Sequence, residues 1–365
     1  MIATQEFMPR WASSPGDTIS DLITSKNVES DDVAKACGLD SEEFARLIQG
    51  ALPIDGALAQ SLSTCLGGSV SFWLRREDRF REMLATVEAD QWVQSLPLKS
   101  MKKLQWMDVP RDWRDQIAAC LDFFGMDNLD GWRATYSAQL QNVRFRTSAR
   151  FPNQLPAVSA WLRAGEISHK GFAGGTFEPS SFWEALPKIR ELTRIPDPED
   201  FLPQLNAIAL ECGVSCVIVP APDGCAASGA SRVLPDGSAI IQLSGRYLAD
   251  DHFWFTFFHE AGHLLLHGDK AIHVDGDPAE FETNESESEA NTFAADILWP
   301  IEDRPAGRSK PSKRTILRMA SETGTSPGII VGQLQSSGIL DHSECNYLKR
   351  RYVRTGSTLT LKRKG

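Results

Sequence analysis

The stretch Phe253–His267, FWFTFFHEAGHLLLH, constrains this chain more than any other. It reads as one strongly apolar helix, with Asp250-Asp251 as its cap. His259 and His263 stand four apart, so they share a helical face and their imidazoles can hold one metal ion. Glu260 adjoins the first of them, within reach of a water on that ion. The flanking apolar residues supply the dry wall that such a site needs. Chance explains the pattern poorly: of 7 histidines, five fall between His252 and His273.

A third donor must come from elsewhere. The metzincin pattern requires Gly at 266 and His at 269, but the sequence has Leu266 and Asp269. His267 continues the spacing, yet its Cα lies about 12 Å along the helix from His259 at 1.5 Å per residue, too far for all three to converge. It reads as a supporting or core residue. A second helix, Glu285–Leu298, stops before Pro300 and offers Glu287 with Asn291 one turn on. Glu287 can complete a His₂Glu set, and Asn291 can accept a ligand histidine's N–H. Glu285 and Glu289 point away from that face and read as solvated charge.

A chain of 365 residues is too long for one core, and two or three domains are expected. Hydrophobic residues make up 42% and charged ones 24%, as in water-soluble folded proteins. No apolar run reaches the ~18–20 residues that cross a bilayer, and the N-terminus shows no secretory pattern, so no membrane partner is expected. The 7 scattered cysteines read as free thiols in a cytoplasmic protein. A net charge of −10 makes for a poor general nucleic-acid binder. The charge is uneven: residues 275–289 carry acids only, and the end, Lys349-Arg350-Arg351 to Lys362-Arg363-Lys364, reads as a solvated basic tail.

The expected fold class is α+β and mostly helical. Residues 1–85 form a helical helix-turn-helix domain, 86–198 a helical connecting domain, and 199–365 the metal-site domain with a small sheet. In the first, Asp17–Ser25, Ser30–Cys37, Ser41–Gln49, Gly56–Leu66 and Val70–Phe80 have helical spacing. Ala34-x-x-x-Gly38 suits a tight turn between two helices, with Ser41 as the next N-cap. Glu42 and Glu43 then occupy the turn that DNA would approach, which favours a protein-interaction or packing role. In the second, Pro110–Phe124, Leu129–Gln141, Leu155–Gly165 and Ser180–Leu192 read as helices, and Trp92, Trp106, Trp113, Trp132, Trp161 and Trp183 as core. Ile195–Glu199 leads into the third. There Leu205–Cys212 reads as a helix, and Val214–Pro220 and Ala239–Leu243 as strands, with turns at Asp223-Gly224 and Pro235-Asp236-Gly237.

Two resemblances add to this reading. PGDTISDLI, the Ala34-x-x-x-Gly38 turn, LIQGALPI and SVSFWLRRE together resemble the HigA branch of the Cro/repressor-like family, over the first fifth of the chain. FTFFHEAGHLLLH, ESESEANTFAADILWP and SPGIIVGQLQ resemble the ImmA/IrrE-type metallopeptidases, a zincin-like group, over residues 200–345. The second implies Zn²⁺, with Mn²⁺ as the alternative, on His259, His263 and Glu287, and Glu260 as the catalytic base. It implies a site-specific endopeptidase whose partner is a protein substrate, a helix-turn-helix repressor or a neighbour-encoded regulator of phage, mobile-element or stress genes. The first implies DNA as a partner and pairing of two chains through the N-terminal domain. The competing expectation is a HigA-like regulator or antitoxin whose metal domain is a sensor or structural module. For the peptidase, Ala239–Leu243 is expected to take substrate as an added strand. Tyr247, His252 and His267 are the candidates for a second oxyanion donor.

Overall fold

The computed structural model describes residues 10–137, 151–171, 175–246, 248–268, 273–275, 285–304, 309–355 and 358–362. The protein is mostly helical, with a four-stranded mixed sheet and a two-stranded hairpin. It divides into two compact units: Met1–Ser95 with Asp112–Ile117, and Leu96–Arg111 with Ala118–Gly365.

In the first unit, α1 (Pro15–Lys26), α2 (Ser30–Ala36), α3 (Ser41–Ile48), α4 (Gly56–Leu66) and α5 (Val70–Ser95) enclose Ile19, Val33, Leu47, Leu62 and Trp73. The α2–α3 turn passes through Gly38 at φ +70°, a conformation that disfavours any side chain. Asp40, not Ser41, caps α3: its carboxylate accepts the N–H groups of Glu42 and Glu43, and the Glu43 carboxylate accepts that of Asp40. Glu42, Glu43 and Arg46 are exposed. α5 runs on past Phe80, because nothing between 81 and 95 is Gly or Pro.

The second unit contains α6 (Leu98–Lys103), the residues of α7 (Trp113–Phe124) from Ala118 onward, and α8 (Leu129–Trp132) with a π-turn over Arg133–Ser137. The end of the expected 129–141 helix lies outside the described residues. Then follow α9 (Phe151–His169), α10 (Pro179–Glu191) and α11 (Pro198–Leu210). Next come β1 (Val214–Ile218), β2 (Gly229–Val233), β3 (Ala239–Leu243), α12 (Asp250–Leu266), β4 (His273–Asp275) and α13 (Glu285–Leu298). The chain closes with α14 (Lys313–Thr323), α15 (Pro327–Ser336), β5 (Tyr352–Thr355) and β6 (Thr358–Leu361).

The sheet order is β1-β3-β2-β4, with β1 parallel to β3 and the other pairs antiparallel. β3 is therefore paired on both sides, which overturns the expectation that Ala239–Leu243 accepts substrate as an extra strand. The outer side of β1 is also engaged: the Asn206 amide donates to the Cys216 carbonyl and accepts its N–H. Side chains alternate between the two faces. Ile240, Gln242 and Arg232 face α9, where the Gln242 amide donates to Trp161 O and Arg232 donates to Leu162 O. Gly229, Ser231 and Ile241 share the opposite face, which carries α12. Trp161 is fully buried, whereas Trp183 is half exposed and lies over Phe293 of α13, so it is not a core residue.

The first turn of α12 corrects two expectations. Its N-cap is Ala249, and Asp250 and Asp251 are buried first-turn residues. Asp250 accepts from Ser326 Oγ at 2.7 Å and from Arg350 N at 3.0 Å; burial still pushes its pKa up to about 6. Lys349 and Arg350 do not belong to a solvated tail. Lys349 Nζ lies 2.5 Å from Asp251 Oδ2 with both side chains buried, and the Arg350 guanidinium donates to the carbonyls of Thr193, Arg194 and Ile195. Arg363 and Lys364 lie outside the described residues.

Gly262 sets the distance between α12 and α13. A Cβ there would lie 2.9 Å from Phe293 Cδ1 and 3.4 Å from Ala290 Cα. Gly262→Val is expected to force these helices apart and to lower stability by about 1–3 kcal/mol, the usual cost of overpacking. Chemical unfolding midpoints measure it, and an unchanged midpoint would show that the contact is looser than described.

Candidate metal centre

The α12–α13 contact brings His259, His263 and Glu287 together; one donor atom from each lies within 4.8 Å of the others. His259 Nε2 is 3.0 Å from His263 Nε2 and 3.3 Å from Glu287 Oε2, and His263 Nε2 is 3.4 Å from Glu287 Oε1. Both imidazoles are buried. Burial lowers the His263 pKa, which favours the neutral ring that a metal ligand must be. Burial would raise the Glu287 carboxyl, but its hydrogen bonds with His259 and His263 outweigh that and hold it below the usual carboxylate range.

Asn291, one turn after Glu287, places Oδ1 3.0 Å from His259 Nδ1. An amide oxygen only accepts, so Nδ1 carries a proton, and Nε2 is the ring atom left to lose its proton and bind an ion. Two imidazole nitrogens and a carboxylate, mostly dry and converging, fit a divalent cation of the Zn²⁺ or Mn²⁺ kind.

Glu260, the residue after His259 on α12, is fully buried, and its Oε2 accepts from Ser231 Oγ at 2.7 Å. Gly229, two residues earlier on β2, lies against the same carboxylate, and a Cβ there would collide with Oε1 and Cγ. Ser231 and Gly229 were not legible as site residues. The strand GASRV holds a single β-branched residue, so it carries no strand pattern, and the small residues that erase the pattern are those that let β2 approach Glu260.

His267 stands apart from the donor cluster. It follows the last turn of α12, and its Nε2 lies 3.2 Å from Ser286 O and 3.5 Å from Glu289 Oε2. Glu289 is thus paired while remaining exposed; Glu285 is exposed. Of the oxyanion candidates, His252 is exposed on the same side of α12 as His259, and Tyr247 lies outside the described residues.

Residues 216–331 match a family model, Peptidase_M78, described as the IrrE N-terminal-like domain. The matched stretch of 116 residues runs from β1 into α15 and includes His259, Glu260, His263 and Glu287. It supports a metallopeptidase-type domain in this part of the chain. No curated protein matches the chain, and no solved structure matches it.

One divalent ion per chain is expected after loading and desalting, because three protein donors and a water define a single site. His259→Ala, His263→Ala and Glu287→Ala should each lose it, and His267→Ala should keep it. Elemental analysis decides: retention by Glu287→Ala with loss by His267→Ala would reassign the third donor.

Proposed function

We propose that the chain is a zinc-dependent, site-specific endopeptidase that hydrolyses one peptide bond in a protein target. The observation that carries this reading is the convergence of His259, His263 and Glu287, with a buried Glu260, held by Ser231, next to His259 in the chain. His259, His263 and Glu287 would hold the ion, which supplies Lewis acidity, acidifying water and polarising a carbonyl oxygen.

The remaining steps belong to the chain's own residues. The Glu260 carboxylate takes a proton from the attacking water and returns it to the leaving amide nitrogen. The Ser231 hydroxyl, bonded to Oε2, holds that carboxylate's rotamer. Asn291 holds the His259 ring. Among the described strands, β4 forms the sheet edge next to β2, so an extended substrate is assigned to β4 rather than to β3.

The target is assigned as a regulator, a helix-turn-helix repressor or a neighbour-encoded partner, cut in an exposed extended segment. The first unit is assigned to recognition of protein. The exposed Glu42 and Glu43 on the first turn of α3 support this, since carboxylates there repel a phosphate backbone.

Glu260→Gln preserves shape and removes the base. It should leave fold and metal content intact while cleavage of a co-expressed, neighbour-encoded target falls by about 10²-fold or more. Mass spectrometry of the fragments reads the result. Equal cleavage, or no Glu260-dependent fragment with any neighbour-encoded protein, would overturn the peptidase reading in favour of a binding protein.

A further inference from the structure

A cavity of about 530 Å³ opens beside the metal centre. Its lining on α13 runs from Glu287 and Asn291 through Ala295 to Leu298, positions that share one helical face. On α12 it follows His252, Phe255 and Thr256, the residues leading up to His259. It is therefore a trench along α12 and α13, closed by α15 and the C-terminal segment, that shares Glu287 with the donor cluster.

The far wall is built outside the family-matched stretch. Lys349, Tyr352 and Leu359 line it from the C-terminal segment, which is held against α12 by the Lys349–Asp251 ion pair and the Arg350–Asp250 bond. Tyr352 and Leu359 belong to the main apolar core and are almost fully buried, so this wall is fixed by packing. The charged lining is of mixed sign and largely paired within the protein: Lys349 with Asp251 and Arg304 with Asp296, besides Arg246, Glu287 and the imidazoles of His252 and His342. A space of this size with a mainly apolar surface suits a bulky apolar group; an ammonium would lose its hydration there, with the Asp251 carboxylate committed to Lys349 and Glu287 to the ion.

We propose that this trench is the specificity pocket of the peptidase site, receiving a large apolar side chain next to the scissile bond and rejecting lysine. Its continuity with Glu287 and Asn291 ties it to the residue being cut rather than to a separate ligand. The C-terminal segment thereby becomes a specificity element, although it lies 18 or more residues beyond the end of the matched stretch at 331. The proposal rests on the peptidase reading, and the experiment separates the two.

The full chain, loaded with zinc, is titrated calorimetrically with acetohydroxamate and with peptidyl hydroxamates carrying Phe, Ala or Lys next to the metal-binding group. Acetohydroxamate tests the metal anchor alone. The Phe compound is expected to bind about tenfold or more tighter than the Ala compound, the usual scale for filling an apolar pocket, and the Lys compound more weakly than Ala. Ala295→Phe, which fills the middle of the trench, should abolish the Phe-over-Ala preference; Ala295→Leu serves if the larger residue fails to fold. Equal binding of Phe and Ala compounds by the wild type, or a preference retained in the folded variant, would overturn the pocket while leaving the peptidase reading intact. Failure of acetohydroxamate to bind the loaded chain would overturn both.

Discussion

The close approach of α12 and α13 across Gly262 is the contact on which the site depends. His259 and His263 belong to one helix and Glu287 to the other, so the donor set exists only while the two axes stay close. Ala290 and Phe293 occupy the space that a side chain at 262 would need. The sheet does the corresponding work for Glu260. Gly229 and Ser231 bring β2 against α12, and the Ser231 hydroxyl holds the carboxylate in place. Both sides of the site are therefore set by missing or small side chains.

The N-terminal end of α12 is fixed by long-range polar contacts. Asp250 is bonded by Ser326 and by the backbone of Arg350, and Asp251 is paired with Lys349. Gly328 and Gly332 of α15 lie against these two carboxylates, leaving no room for a Cβ at either position. Buried carboxylates with several donors are costly to break, because removing a partner leaves an unsatisfied charge. The helix that carries the two histidines is thus held at one end by a charged network and along its length by apolar packing.

Much of this was legible in the sequence, for local reasons. Four-residue spacing put His259 with His263 and Glu287 with Asn291, and the apolar run of α12 and the Glu285–Leu298 helix have the periodicity of what the structure contains. β1 and β3 were legible because they are rich in β-branched residues. What was not legible depends on partners far along the chain. GASRV shows no strand pattern in the sequence, and the approach of Glu260 explains its small residues. Asp250-Asp251 reads as a cap, and Lys349-Arg350 as a tail, until Ser326, Asp251 and the carbonyls of 193–195 supply their partners. β3 looked like an open edge because nothing in its five residues reveals that it has two neighbours.

The most direct test of the account is a crystal structure of the zinc-loaded chain with anomalous diffraction measured on both sides of the zinc edge. The account predicts one anomalous peak bonded to His259 Nε2, His263 Nε2 and a Glu287 oxygen, with Glu260 beside it and not coordinated. A peak ligated by His267 or Glu260, or no peak at this cluster from a fully loaded protein, would contradict it.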